Sequence, residues 1–418
     1  MEKLLLTLEE ECSQKINSET WPRSVKVPDI ATKITVLVGM RRTGKTTVLF
    51  QKMRTLINNG VSRSRILHIN FEDDRLRPIT SETMANMVDA WYSLDPKRHD
   101  ETCYLFLDEV QNVAGWELTV RRLHETKKVR LFLTGSSAKL LSKEIATELR
   151  GRSLSTEIWP LDFEEYPGLE FFPSVMGKAA QDRYLMSLSN YIEKGGFPET
   201  VKADRSTAVQ ILQEYIEVVL FRDVLERWNL ANLSLLRELF RRLLTTPGRL
   251  LSVNKLYNEL KGLGYSIGKN TLYEYIAHIE DAYLIFQVPL YSDSPKKTLA
   301  NPRKIYAVDT GLLHSVNVFV DRDKGYLFEN LIFLALKRRG FRIYYYVTKE
   351  QYEVDFLAEN SSGKRLLVQA CWDMTDAQTK EREERALKIA VERTGISGHI
   401  VTPETYLKFV RELDSQIS

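Results

Sequence analysis

A chain of 418 residues exceeds what one core can organise, so two to four domains are expected. Its 43% apolar and 28% charged residues are ordinary for a soluble globular protein. No stretch approaches the roughly 20 apolar residues of a spanning helix, and no membrane partner is expected. The net charge of +3 hides two basic clusters, Arg237, Arg241, Arg242, Arg249 and Lys296, Lys297, Arg303, Lys304. They read as solvated helical faces or as a nucleic-acid contact. Cys12, Cys103 and Cys371 have no paired spacing, so neither a disulfide framework nor a zinc site follows, and a reducing, cytoplasmic setting is expected. Acidic residues directly follow the short apolar run of the N-terminus, unlike a secretory signal, and no repeat or low-complexity tract is visible.

Residues 1–30 read as a leader helix and a connector. Ile34 to Val38 is a short apolar run that reads as a buried strand. It breaks into Gly39-Met40-Arg41-Arg42-Thr43-Gly44-Lys45-Thr46-Thr47, the phosphate-loop signature, and a helical stretch follows. Gly39 and Gly44 permit the tight turn that aims successive N–H groups at one anion. The helix N-terminus adds partial positive charge. Lys45 reaches the β- and γ-phosphates of ATP, and the Thr46 hydroxyl suits Mg²⁺.

Arg65 to Phe71 reads as a second strand, ending in Glu72-Asp73-Asp74-Arg75, at the edge where open α/β sheets bind ligands. Asp73 and Asp74 read equally as helix-starting residues. Met84, Met87, Val88 and Trp91 recur at helical spacing. Tyr104 to Leu107 is a continuous apolar run ending in Asp108-Glu109, about 60 residues after the phosphate loop. A buried parallel strand delivers Asp108 to Mg²⁺ at its tip, and Glu109 to the attacking water as general base.

Trp116 to Thr126 reads as a helix and Val129 to Gly135 as a strand, followed by Ser136 and Ser137. Either serine is a candidate for sensing the γ-phosphate; either also reads as a helix cap. Arg150 and Arg152 follow, as candidates to neutralise charge on the transferring phosphate, from within the chain or from a neighbouring copy. Ser153 to Trp159 supplies a fifth strand. The count fits a sheet in which the Asp-Glu strand and the phosphate-loop strand are not adjacent.

The segments VGMRRTGKTT, INFEDDR, YLFLDEVQNVAGWE, LFLTGSSAKLL, LRGR and WPLDFEEY, with GGFPE, LFRDV, YAVDTGLL, YLFENLIF and YEVDFL further on, resemble a prokaryotic AAA-type ATPase family fused to a C-terminal domain of unknown function. The resemblance spans roughly residues 30–410. It implies an α/β fold: an AAA-type parallel-sheet core over 31–160, a helical region over 161–245, a winged-helix-like segment over 246–300, and an α/β restriction-endonuclease-like domain over 301–418. It also marks Arg222-Asp223 as characteristic, with Arg222 expected at a nucleotide or domain interface.

Within the winged-helix segment, Ser252 to Leu256 starts one helix, Ser266 to Ile276 a second, and Tyr283 to Leu290 is the expected wing strand. Lys269, Asn270 and Tyr273 are then the candidate DNA-reading residues. In the last segment, nuclease domains of the implied fold use a helical Glu, a strand Asp and a Glu-x-Lys around Mg²⁺. Glu329 and Asp355 match the first two. Gln369 takes the third carboxylate position, Cys371 stands where Lys belongs, and Lys380 is a nearby substitute. The expectation is an ATPase acting on DNA, with ATP-gated DNA cleavage and a protein-interaction switch without turnover as alternatives. Self-association is open.

Overall fold

The computed structural model describes residues 2–135, 149–167, 176–245, 248–300, 302–316 and 324–416. The chain divides into two compact units, Met1–Trp159 and Pro160–Ser418.

In the first unit, β1 (Ile34–Val38), β2 (Ile66–Asn70), β3 (Cys103–Asp108), β4 (Val129–Gly135) and β5 (Ser153–Glu157) form one sheet of order β2-β3-β4-β1-β5. Every pairing is parallel. β4 separates the Asp-Glu strand from the phosphate-loop strand, as the sequence leads one to expect. The inner strands are apolar along their length because helices cover both faces of a parallel sheet. Leu37, Val48, Leu49, Phe50, Met53, Phe106 and Phe132 make one core between the sheet and α2 (Lys45–Asn58). Phe106 and Phe132 stack at 4.7 Å. α1 (Glu2–Asn17) adds Cys12 and Ile16 to this core, and Glu9 accepts a 2.7 Å hydrogen bond from the Trp91 indole of α3 (Ser81–Leu94). α4 (Trp116–Thr126) precedes β4.

The second unit opens with α5 (Lys178–Lys194) and α6 (Arg205–Val218), and α6 runs directly into a π-helical turn, Val219–Glu226. The apolar periodicity suggests a plain α-helix here; the wider turn instead buries Asp223 and leaves Arg222 on the exposed side, 3.8 Å from Glu226. Next come α7 (Leu233–Thr245), β6 (Leu250–Leu251), α8 (Val253–Gly262), α9 (Lys269–Asp281), β7 (Ile285–Val288), α10 (Pro295–Ala300) and β8 (Arg303–Ala307). β6, β8 and β7 form an antiparallel sheet in that order. The expected wing strand over 283–290 is thus one half of a pair, and its partner β8 lies in the stretch assigned from sequence to the last domain. α11 (Thr310–Val316) and α12 (Lys324–Arg338) follow. β9 (Arg342–Val347), β10 (Glu353–Glu359), β11 (Arg365–Ala370) and β12 (Ser397–Val401) form a second sheet of order β12-β11-β10-β9, crossed by α13 (Ala377–Thr394) and α14 (Pro403–Ser415). Among the described residues, no helix is long and apolar enough to cross a membrane.

Two buried polar groups tie this unit together. Asn330 of α12 donates to the Ala307 carbonyl (3.1 Å) and accepts from the Ala307 N–H (2.8 Å), so a helix side chain completes the edge of β8. Asp309 accepts from the Gly196 N–H at 2.7 Å. Burial pushes its carboxyl up to about 6, against the pull of the Gly196 and Leu312 N–H groups and the Arg338 charge. A Cβ at Gly196 would stand 2.1 Å from the Leu161 carbonyl oxygen, a backbone atom that cannot step aside. Gly196→Ala is therefore expected to cost about 2–4 kcal/mol, or several degrees of thermal midpoint. Gly177→Ala, where a Cβ meets nothing within 4 Å, should leave the midpoint nearly unchanged. Thermal denaturation of the two variants side by side checks this.

Candidate functional site

The loop after β1 is shaped by its glycines. Gly39 has φ +146°, and a Cβ there would lie 2.3 Å from the Ile158 carbonyl oxygen; Gly44 has φ +93° at the start of α2. Arg23 of the connector braces the loop, donating to the carbonyls of Thr43 (2.9 Å) and Trp159 (2.6 Å). The Thr43 hydroxyl donates to the Met40 carbonyl at 2.9 Å. Lys45 is buried, its ammonium donating to the carbonyls of Gly39 (3.1 Å) and Met40 (2.9 Å). Thr47 lies in the first turn of α2. Arg41 pairs with Glu72 at 2.9 Å, and Arg42 is exposed with φ +67°. Asp73 caps the short turn after β2, accepting from the Arg75 N–H, so the helix-starting reading describes it.

Asp108 is fully buried at the tip of β3. The Thr46 hydroxyl donates to its Oδ2 at 2.8 Å, and the Thr134 hydroxyl at the end of β4 donates a short hydrogen bond to its Oδ1. Thr134 also accepts the Glu109 N–H at 3.0 Å. Glu109 holds a left-handed backbone, φ +55° and ψ +46°, and its carboxylate accepts from the Gln111 amide. A non-glycine residue in that region is costly, and such strain gathers at functional sites. The loop, Asp108 and Glu109 thus converge at the carboxyl edge of the sheet.

Two residues here escaped the sequence reading. Thr134 takes the organising position at the tip of β4; Ser136 and Ser137, the residues expected there, lie outside the described residues. His68 of β2 sits with Nε2 3.7 Å from Asp108 Oδ2, too long for a hydrogen bond. Burial opposes its protonation, yet the Asp108 carboxylate and the Cys12 thiol bring its pKa up to about 9. Burial in turn works to raise Asp108, while His68 and the Thr134 and Thr46 hydroxyls hold it below the usual carboxylate range. Strand alternation alone marks His68 as a core residue, so its tie to Asp108 is visible only once β2 and β3 are paired.

Arg150 and Arg152 are not brought to this edge. The Arg152 carbonyl accepts from Ile34 N–H, at the opposite, amino-terminal end of β1, and its side chain pairs with Glu125 at 2.8 Å. One strand length, roughly 16 Å, separates them from the loop. A role for either arginine within its own chain is corrected by this placement.

The second expected cluster does come together, around a residue from the basic run that read as a solvated face or a nucleic-acid contact. Lys304 of β8 is buried, and its ammonium lies 2.8 Å from Glu353, 3.1 Å from Glu329 and 3.3 Å from Asp355. Tyr306, two residues on and so on the same face of β8, donates to Glu329 at 2.7 Å. Gln369 accepts the Asp355 N–H (3.3 Å) and donates to Glu383 (2.7 Å), while the Ala370 N–H donates to Asp355 (3.0 Å). Cys371 is buried, with its thiol toward the Asp373 carbonyl, and Lys380 is exposed beside Glu384. The lysine beside Glu329 and Asp355 is Lys304, not Lys380. Burial lifts the Glu329 carboxyl to about 7 even against the Lys304 charge, and the surrounding acids hold Lys304 well above its ordinary value despite its burial. Among the described residues, no group of three or more His, Cys, Asp or Glu side chains is set to hold a metal ion. Here the counter-charge to the three carboxylates is the Lys304 ammonium. Lys269, Asn270 and Tyr273 stand exposed on α9.

A five-stranded parallel sheet carrying a phosphate loop and an Asp-Glu strand tip defines an AAA-type P-loop ATPase. Residues 31–167 match the AAA domain family, and residues 185–323 match a domain of unknown function, DUF8612. The chain belongs to the family of the uncharacterized protein MJ1544 of Methanocaldococcus jannaschii, with 36% identity over 88% of this chain and 81% of that protein. An uncharacterized protein of Haemophilus influenzae is 28% identical over 82% of this chain and 83% of its own length. Among solved structures, the Walker-type ATPase PABY2304 of Pyrococcus abyssi aligns with a TM-score of 0.44 and 15% identity, covering 74% of this chain and 95% of that one.

Removing Lys304 leaves three converging carboxylates without a counter-charge. Lys304→Met should destabilise the protein by about 3–5 kcal/mol at pH 8. Carboxyls whose folded pKa lies above its unfolded value favour the folded state as they take up protons, so the deficit should shrink between pH 8 and about 5. Chemical denaturation across that pH range measures it; a deficit constant with pH would contradict the charge account.

Proposed function

We propose that the chain is a Mg²⁺-dependent ATPase whose nucleotide state governs a DNA-binding second unit. The observation that carries the first half is the Thr46–Asp108 hydrogen bond. It sets the two oxygens that would hold Mg²⁺ in such a site side by side at the mouth of the phosphate loop. Mg²⁺, when bound there, neutralises charge on the β- and γ-phosphate oxygens. Lys45 exchanges the Gly39 and Met40 carbonyls for phosphate oxygens, and the loop N–H groups hold the β-phosphate. A place for the base is the cavity of about 430 Å³ that Val25, Val27, Val48 and Gln51 line beside α2 together with Arg23, the residue that braces the loop. Glu109, fixed by Gln111 and by its own N–H on Thr134, takes the proton of the attacking water as its oxygen bonds the γ-phosphorus. The bond to the ADP oxygen breaks. Arg150 and Arg152 retain only the form of the expectation in which a neighbouring copy supplies them.

The second half is supported by the order α7, β6, α8, α9, β7, α10, β8 with its three-stranded antiparallel sheet, which resembles a winged helix. Nucleic acid is the ligand class such a module takes most often. DNA cleavage by the last segment is not adopted: a neutral Gln369 stands at the third carboxylate position, and Lys304 already pairs with Glu329 and Asp355. A switch without turnover is disfavoured by the intact Asp108-Glu109 pair.

Glu109→Gln should bind ATP as the parent does and hydrolyse it roughly 100-fold more slowly or worse. Lys45→Ala should lose ATP binding itself. Phosphate release together with nucleotide-binding titrations separates the two outcomes, and turnover at the parent rate by Glu109→Gln would remove Glu109 from its role. With plasmid, Mg²⁺ and ATP, the parent and Asp355→Ala should be alike in cutting nothing. Cleavage abolished by Asp355→Ala would restore the nuclease alternative.

A further inference from the structure

The basic run Arg241, Arg242, Arg249 does not lie on one solvated helical face. With Lys255 it surrounds a cavity of about 340 Å³ between the end of α7, β6 and the first turn of α8, floored by Leu243 and Ile305. Arg242 is held upright by two carboxylates, donating to Glu238 at 2.6 Å and to Glu259 at 2.6 Å. Arg241 leans on the same Glu238 at 2.9 Å. Arg249 donates to the Tyr326 hydroxyl at 2.7 Å, and its guanidinium lies 5.1 Å from that ring's centre. Lys255 is exposed and makes no ion pair among the described residues. Four cationic side chains and one carboxylate, Glu259, thus line one concavity, and all three guanidinium groups are braced in position. Bracing lowers the side-chain ordering that a bound anion would otherwise require.

We propose that this bowl grips the phosphate backbone of duplex DNA and is the main electrostatic contact of the winged helix. The proposal rests on the DNA-binding reading above and names its contact surface. It moves that contact from the expected face of α9. There Lys269 lies 5.4 Å from the Tyr257 ring centre, and Glu274 shares the exposed side. With Lys261 of α8 over the same Tyr257 ring, that region carries two lysines and one glutamate, a smaller net charge than the bowl's. A duplex carries about one charge per 1.7 Å of axis and so can engage several of the cations around the bowl together.

The test is fluorescence anisotropy of a labelled duplex, titrated with full-length protein in ATP between about 50 and 200 mM salt. Three proteins are compared with the parent: Arg249→Ala with Lys255→Ala, Lys255→Glu alone, and Lys269→Ala with Asn270→Ala. Lys255 is solvent-exposed, so its reversal tests the bowl without threatening the fold. The bowl double variant should bind at least 10-fold more weakly, with the salt slope reduced by about 0.9 for each phosphate no longer neutralised. The Lys255→Glu change should weaken binding in the same direction, and the α9 variant should change neither slope nor affinity appreciably. Turnover of ATP without DNA should stay at the parent rate in all of them. If the parent binds duplex and the bowl variants keep its affinity and slope, the bowl is overturned while DNA binding stands. Should the parent itself fail to bind duplex at the lowest salt, the DNA reading falls and takes the bowl with it. Inorganic phosphate that displaces the duplex much better than chloride at equal ionic strength would mark a free-phosphate site and equally overturn the proposal.

Discussion

The Asp108 carboxylate is the group around which the first unit is arranged. It is buried at the tip of a central strand, where an unpaired charge would be expensive, and its oxygens are satisfied by hydroxyls from two other elements, Thr46 on α2 and Thr134 on β4. That pairing fixes the register of the loop against the strand tip. It also explains why the order β3-β4-β1 matters: β4, interposed between the two motif-bearing strands, carries the threonine that reaches both Asp108 and the backbone of Glu109. His68 extends the network inward. His68 and the carboxylate, 3.7 Å apart and both shielded from water, each pull the other toward its charged form against the cost of burial.

The second unit solves a similar problem with the opposite sign. Lys304 is the buried charge, and the acids of α12 and β10 neutralise it. A lysine on the strand of one sheet thereby stitches that strand to a helix and to a strand of another sheet. The close approach of Gly248, where a Cβ would stand 2.7 Å from a Glu329 oxygen, brings the segment before β6 onto the same cluster. These residues therefore hold an ion-pair cluster that joins β8, α12 and β10.

Much of this was legible from residue order alone. The strands and helices of the first unit fall where the apolar runs and periodicity put them, and Trp116–Thr126 coincides with its sequence assignment. Separation of the phosphate-loop and Asp-Glu strands also followed from the count of segments. Harder to read were Thr134 and His68, because each looks like an ordinary strand residue until its neighbours across the sheet are known. Arg150 and Arg152 looked close to the phosphate because they follow a strand tip in sequence. Because β5 runs parallel to β1, it begins at the amino-terminal end of the sheet, and Arg152 stands there beside Ile34. Lys304 sat in a run of basic residues and read as a solvated face or a nucleic-acid contact; pairing of β8 with β7, not with β9 or β10, turns it inward.

By itself the sequence determined the chemistry of the first unit, because a phosphate loop is a local object: glycines, a lysine and a threonine within nine positions, followed by a helix. It likewise determined that two neighbouring acids would stand at a strand tip. Only tertiary structure decided which hydroxyl and imidazole groups attend those acids, which lysine neutralises Glu329 and Asp355, and that scattered arginines gather round one concavity. Those are contacts between residues far apart in the chain, and burial, sheet order and charge balance select them together rather than one segment at a time.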